Sequence, residues 1–209
     1  MRITKYTHAC VRLEKGDQAL VIDPGSFSEE EPLDGAGAVL ITHEHVDHLD
    51  AGKLERHTDA EIWTNAATAA LLEDIDPARV HVVARGDSFS AAGFQVGVHG
   101  ELHEVIHPDL PRVPNIGFLV DGEFLHPGDA FTVPDIPVRA LMVPTSAPWL
   151  RAADSIEYIR AVRPELALSV HDGLLNEIGL GLVDNLLGSM ADKAGSDFRR
   201  LASGQSVEI

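Results

Sequence analysis

Cysteine is almost missing from this chain of 209 residues, Cys10 being the only one. No internal disulfide can form, and a reducing cytoplasm is the expected setting. Long hydrophobic runs are missing too. None approaches the ~20 residues needed to span a bilayer. The opening stretch MRITKYTHACVRLEKG scatters its charges and has no apolar core of the kind a secretory signal requires. No membrane association is expected. Basic residues are scarce, 16 Lys and Arg against 33 Asp and Glu, for a formal charge of -17. Phosphate backbones are held by clustered Lys and Arg, so nucleic acid is not an expected partner. A small phosphate-bearing substrate stays compatible with this charge, because bound divalent cations would cancel several negative charges locally.

What the chain does contain is a succession of short apolar runs and two helical stretches. Arg2 to Tyr6, Ala9 to Glu14, Gln18 to Ile22 and Ala38 to Thr42 read as strands, with Gly16-Asp17 as a turn. Asp50 to His57 and Asn65 to Glu73 read as helices around a strand-like EIWT. Val80 to Ala84, Phe94 to His99, Ile116 to Asp121 and Glu123 to Leu125 form a second strand group. Then strand and helix alternate: Ala140 to Val143, a helix from Arg151 to Val162, Leu166 to Val170, and a long helix from Leu174 to Lys193. Strand groups interleaved with helices predict one α/β layered domain spanning 1–209, sheets inside and helices outside. On the last helix Leu174, Leu175, Ile178, Leu182, Leu186 and Leu187 follow helical spacing, which packing on the domain's own core would explain. A homo-oligomer is compatible with that pattern but not required by it.

The densest chemistry lies in VLITHEHVDHLD, where the pattern H-x-H-x-D-H follows a buried strand. Extended spacing of two puts His43 and His45 on one side, within reach of one cation. Asp47 and His48 follow on the turn into a helix, facing a neighbouring position. Imidazole with carboxylate suits zinc, manganese or iron. A solvated histidine-rich loop is the ordinary alternative, and four ligand-type residues in six positions argue against it.

THEHVDHLD resembles the signature of the metallo-β-lactamase superfamily, and later landmarks occur in that family's order from VIDPG to SVHDG, nearly the whole chain. The resemblance implies an αββα sandwich, two central mixed β-sheets flanked by helices. It also implies an aspartate bridging two metals, supplied by Asp129 in HPGDAF, and a late histidine ligand, His171 in LSVHDG. The mid-chain histidine has three candidates in VGVHGELHEVIHPDLP. His99 still lies on a strand, His107 precedes Pro108 and suits a contact to substrate or to a ligand, and His103 sits just past the Gly100 break. His103 is the choice. His126 beside PGDA and His8 in THAC are placed next to the ligands, although the family's GHA segment has Thr7 where glycine is usual. Asp23 in VIDPG recurs in the superfamily as a structural acid close to the site.

The implied site puts His43, His45 and His103 on one cation and Asp47, His48 and His171 on another, with Asp129 between. Two divalent cations, zinc first and manganese or iron next, share a water and lower its pKa until hydroxide exists near neutral pH. That hydroxide would attack a carbonyl or phosphoryl centre, and Asp47 would orient it or pass its proton on. The expected activity is hydrolysis of a small-molecule ester, lactone or phosphodiester. IHPDLPRVPNIGFLVDG, FLHPGDAF and VPTSAPWL resemble the small ascorbate-6-phosphate lactonase-like branch. A metal-binding sensor without turnover is the alternative. Asn115, Trp149 and Arg112 fall near the proposed ligands, but loop cap, core aromatic and solvated charge explain them equally well.

Overall fold

The two halves of the chain repeat one plan. In the computed structural model, which describes residues 1–209, the first half runs β1 (Arg2–Lys5), β2 (Val11–Lys15), β3 (Gln18–Ile22), β4 (Ala38–Ile41), α1 (Ala51–Arg56), β5 (Glu61–Thr64), α2 (Ala66–Ala69) and β6 (Val80–Val82). The second runs β7 (Ser88–Ala91), β8 (Phe94–His99), β9 (Gly117–Val120), β10 (Phe124–His126), β11 (Ala140–Pro144), α3 (Ala152–Val162), β12 (Leu166–Val170), α4 (Glu177–Ala194) and β13 (Asp197–Arg199). β14 (Ser206–Glu208) closes the chain by pairing with β1. Two seven-stranded sheets result, ordered β14-β1-β2-β3-β4-β5-β6 and β13-β12-β11-β10-β9-β8-β7. Each begins as an antiparallel meander, and from β3 in one and β10 in the other every pair is parallel.

Periodicity explains the layers. Ile3, Leu13, Leu20, Ile22 and Leu40 of the first sheet meet Phe94, Phe118, Phe124, Met142 and Leu168 of the second in the central core. The alternate residues Val21, Val39, Ile41 and Ile62 face outward under Leu33 and Leu54, while Leu125, Leu141, Val143 and Ala167 lie under Tyr158 and Ile159. The parallel strands are therefore buried on both faces, which is why AVLI and ALMV read as continuous apolar runs. This is the αββα sandwich the sequence predicts. No helix is long and apolar enough to cross a membrane.

Several boundaries differ. The predicted helix from Asn65 is four residues long, with the Asn65 side chain accepting from Ala67 N and Thr68 N as its cap. The last helix starts at Glu177, because Asn176 caps it through Gly179 N and leaves Leu174 and Leu175 on the preceding turn. β2 begins at Val11 because residues 7–9 form a turn with His8 at φ 65°. β7, β13 and β14 are unpredicted strands, each at an edge of its sheet. The leucine stripe of α4 also departs from expectation. Leu187 and Ala191 are its only buried residues, while Leu174, Ile178, Leu182 and Leu186 are 63, 75, 68 and 44% exposed. The core does not explain that face.

Candidate metal centre

Parallel strands deliver their carboxyl ends to one edge of the sandwich, the edge where open α/β sheets bind ligands. β4 runs out there into Thr42 and His43, β12 into His171, and β10 leads through His126 and Gly128 to Asp129. The loop after β8 brings His103, and the turn between β1 and β2 brings His8.

Each histidine's orientation follows from what its Nδ1 touches. Asp23 accepts the Thr42 backbone N–H at 2.8 Å and the Thr42 hydroxyl at 2.7 Å. The hydroxyl has one proton, so His43 Nδ1–H must donate to Thr42 Oγ1, 3.0 Å away. His48 Nδ1–H donates to Asp23 Oδ2 (2.7 Å), His103 Nδ1–H to the Glu104 carbonyl (2.6 Å) and His171 Nδ1–H to the Ser146 carbonyl (2.6 Å). In the neutral imidazole each then presents a bare Nε2 to the common centre, the arrangement that fixes metal-binding histidines.

Those Nε2 atoms converge with two carboxylates. The ligand-type atoms of His43, His45, His103 and Asp129 lie within 4.8 Å of one another, as do those of His8, Asp47, His48 and His171. Asp129 joins the groups: Oδ1 is 3.1 Å from His48 Nε2, and Oδ2 is 3.1 Å from His171 Nε2 and 3.2 Å from His103 Nε2. His43 Nε2 and His45 Nδ1 are 3.1 Å apart, close to the ~3.3 Å between two nitrogens on one tetrahedral cation. His48 Nε2, His171 Nε2 and Asp129 Oδ1 are buried without a hydrogen-bond partner. Buried polar atoms without partners are costly, and three converging in one cluster fit a cation.

His8 breaks the pattern. Its Nδ1 accepts from Gly173 N–H at 3.2 Å, so Nε2 carries the proton and donates to Asp47 Oδ2 at 2.9 Å. It therefore orients Asp47 rather than offering a lone pair, in the adjacent position the sequence predicts. Thr7, where the family resemblance would have glycine, donates its N–H and hydroxyl to Glu29, pinning the turn. His126 is fully buried, donating to Ala9 O and accepting from Gly128 N. Gly128 has no alternative, since a Cβ there would come within 2.3 Å of Asn115 Oδ1 and 2.7 Å of Thr42 Cβ. His107 is exposed and contacts Asp109, outside the cluster, and His99 stays on β8.

Two residues that the sequence reading weighed and left out of the site touch Asp129. Buried Asn115 accepts Asp129 N–H at 2.9 Å, holding the turn that carries the carboxylate. Trp149 donates its indole N–H to Asp129 Oδ2 at 3.1 Å. Neither contact leaves a trace in spacing, being 14 and 20 residues from Asp129 along the chain. Strain concentrates here as well: His8, Asp23 and His171 have φ of 65, 51 and 60°, the left-handed region that favours glycine.

Electrostatics divides the cluster. Burial, with neighbouring imidazoles, lowers the pKa of His43 and His45. Burial lowers His8 likewise, against the pull of Asp47. Burial also opposes charge on His48 and His171, but Asp129 outweighs it, helped by Asp23 at His48 and by Asp47 at His171. His48 stands well above its ordinary value and His171 at about 9. Burial would raise Asp47 and Asp129, yet the surrounding histidines hold both well below the usual carboxylate range.

Residues 2–171 match the family model described as a β-lactamase superfamily domain. Protein Rv0786c of Mycobacterium tuberculosis is 35% identical over 218 aligned positions, covering 99% of each chain. A UPF0173 metal-dependent hydrolase of Flavobacterium johnsoniae is 26% identical over 230 positions and all of both chains. Among solved structures, Igni18, a metallo hydrolase of Ignicoccus hospitalis, superposes with TM-score 0.76 at 20% identity, covering 99% of this chain and 97% of that one.

Proposed function

This chain belongs to the metallo-β-lactamase superfamily and is a metal-dependent hydrolase, and from that premise we propose that it holds two divalent cations, zinc foremost and manganese or iron as alternatives, to hydrolyse a small ester, lactone or phosphodiester. The observation that carries the two-cation reading is Asp129, whose two oxygens face the Nε2 atoms of two different histidines, His48 and His171, each at 3.1 Å. His43, His45 and His103 would hold one cation and Asp47, His48 and His171 the other, with Asp129 shared. When bound, such a pair lowers the pKa of a shared water and polarises the oxygen under attack.

The chain's own residues do the rest. Asp47 is the cluster's more open carboxylate, 17% exposed against 3% for Asp129. Being held ionised, it accepts a hydrogen bond from the attacking water and so aims it. His8 fixes the Asp47 rotamer, Asp23 fixes His48, and Trp149 shields Asp129 from solvent while donating to it. In an ester the water oxygen bonds to the carbonyl carbon, the bond to the leaving oxygen breaks, and that oxygen takes the proton.

Elemental analysis of untagged protein tests the reading. About two equivalents of cation per chain, with hydrolysis abolished by chelation, is the expected result. One equivalent after saturating reconstitution would remove the second cation from the proposal, and none would remove both.

A further inference from the structure

Most loops at this edge put an apolar side chain into water beside the cluster. Val46, between His45 and Asp47, is 65% exposed, and its carbonyl accepts Ser26 N–H at 2.7 Å. Phe27 follows Ser26, stands edge-on to His8 with ring centroids 5.2 Å apart, and is 42% exposed. Ile106 is 40% exposed on the loop that Glu104 N–H ties to the Asp129 carbonyl at 2.8 Å. Trp149 is half-buried, with its ring 5.6 Å from His103. Leu174, 63% exposed, follows Gly173, whose N–H is bonded to His8. Exposed apolar residues from separate segments, each segment touching or bonded to the cluster, surround its polar centre.

Resting on the hydrolase reading above, we propose that the substrate is an ester or lactone with a hydrocarbon arm next to the scissile bond, and that Val46, Phe27, Ile106, Trp149 and Leu174 seat that arm. The arm gains by leaving water, and the cations and Asp47 act on the carbonyl at its end.

Binding and turnover separate the two ideas. Calorimetry of the zinc-loaded full chain with acetate, butyrate, hexanoate and octanoate reads the rim without hydrolysis. Affinity should rise by about two- to four-fold per methylene as chain length grows, and less steeply in Ile106→Ser and Phe27→Ser, with cation content checked to show that each variant keeps the cluster. Equal affinity across the series, or tighter binding of glycerol phosphate than of hexanoate, overturns the inference. The matching alkyl esters and lactones are then assayed. A rate rising with the hydrocarbon arm supports it; hydrolysis at a rate indifferent to the arm overturns it and leaves the hydrolase intact. Length-dependent binding with no hydrolysis supports the rim and overturns the hydrolase reading instead.

Discussion

The two imidazole groups on either side of Asp129 are made of the same residue types and stand in opposite conditions. His43 Nε2 lies 4.0 Å from Asp129, and at both His43 and His45 burial and neighbouring imidazoles outweigh the carboxylates, so both pKa values fall. His48 and His171 lie 3.1 Å from Asp129, with Asp23 or Asp47 on the far side, so carboxylates win and both pKa values rise. One group is ready for a cation and the other must first be emptied of protons. What separates them is how closely the acids approach, 3.1 Å at His48 and His171 against 4.0 Å at His43.

Asp129→Ala is the most severe way to break that comparison. It removes the shared oxygen pair, so both groups should lose cation, with affinity falling by at least about 100-fold by elemental analysis and activity lost with it. Loss from one group alone would show that Asp129 is not shared. The pH dependence of uptake comes next. His43 and His45, with lowered pKa values, should bind a cation with nearly flat affinity above pH 6.5. The second equivalent must displace protons, so its affinity should climb towards pH 9 by about tenfold per unit for each proton expelled. A chelator competition between pH 6.5 and 9 separates the two. The same protons set metal-free stability. The His171 pKa is raised in the folded state, so its contribution is complete below pH 6.5 and disappears as pH rises through about 9; thermal melts of chelated protein should show that loss.

A narrower test concerns His8. As the residue that orients Asp47 it should cost the second group about 10- to 100-fold in His8→Ala, leaving the first group unchanged. A loss equal to that of His48→Ala would make it a ligand after all. The smallest expected effect is at His99. Replacing it by alanine should leave metal content as it was, whereas His103→Ala should empty the first group; the reverse ordering would reassign the mid-chain ligand.

The cluster was legible where chemistry is dense along the chain and opaque where it is built by folding. H-x-H-x-D-H announces itself because strand spacing aligns His43 with His45. His103 could be preferred to His99 because Gly100, at φ 73°, ends the strand between them. Asp129 and His171 needed the family's order of landmarks, since an aspartate after glycine or a histidine after a strand is common. Asn115 and Trp149 reach Asp129 across the fold and had no local signal. The layers were visible in the doubly buried runs, whereas SFSA, DFR and SVE are too short and too polar to declare themselves strands. The α4 stripe shows a different limit: periodicity says that one face is apolar, and only tertiary structure says what, if anything, lies against it.

The repeated plan of the two halves has a mechanical consequence. His8, His43, His45, Asp47 and His48 belong to the first sheet's half, and His103, Asp129 and His171 to the second's. The crossing between them, at Ala84 to Asp87, is a short turn held by its own Ala84–Asp87 hydrogen bonds and carries no ligand. Cations seated in this cluster would therefore act as a clasp between two bodies, tying the edges of the sheets together where the hydrophobic layer runs out. A chain severed at that turn would yield two fragments that each own part of a coordination sphere, and their reassembly would be governed by the metal as much as by the core.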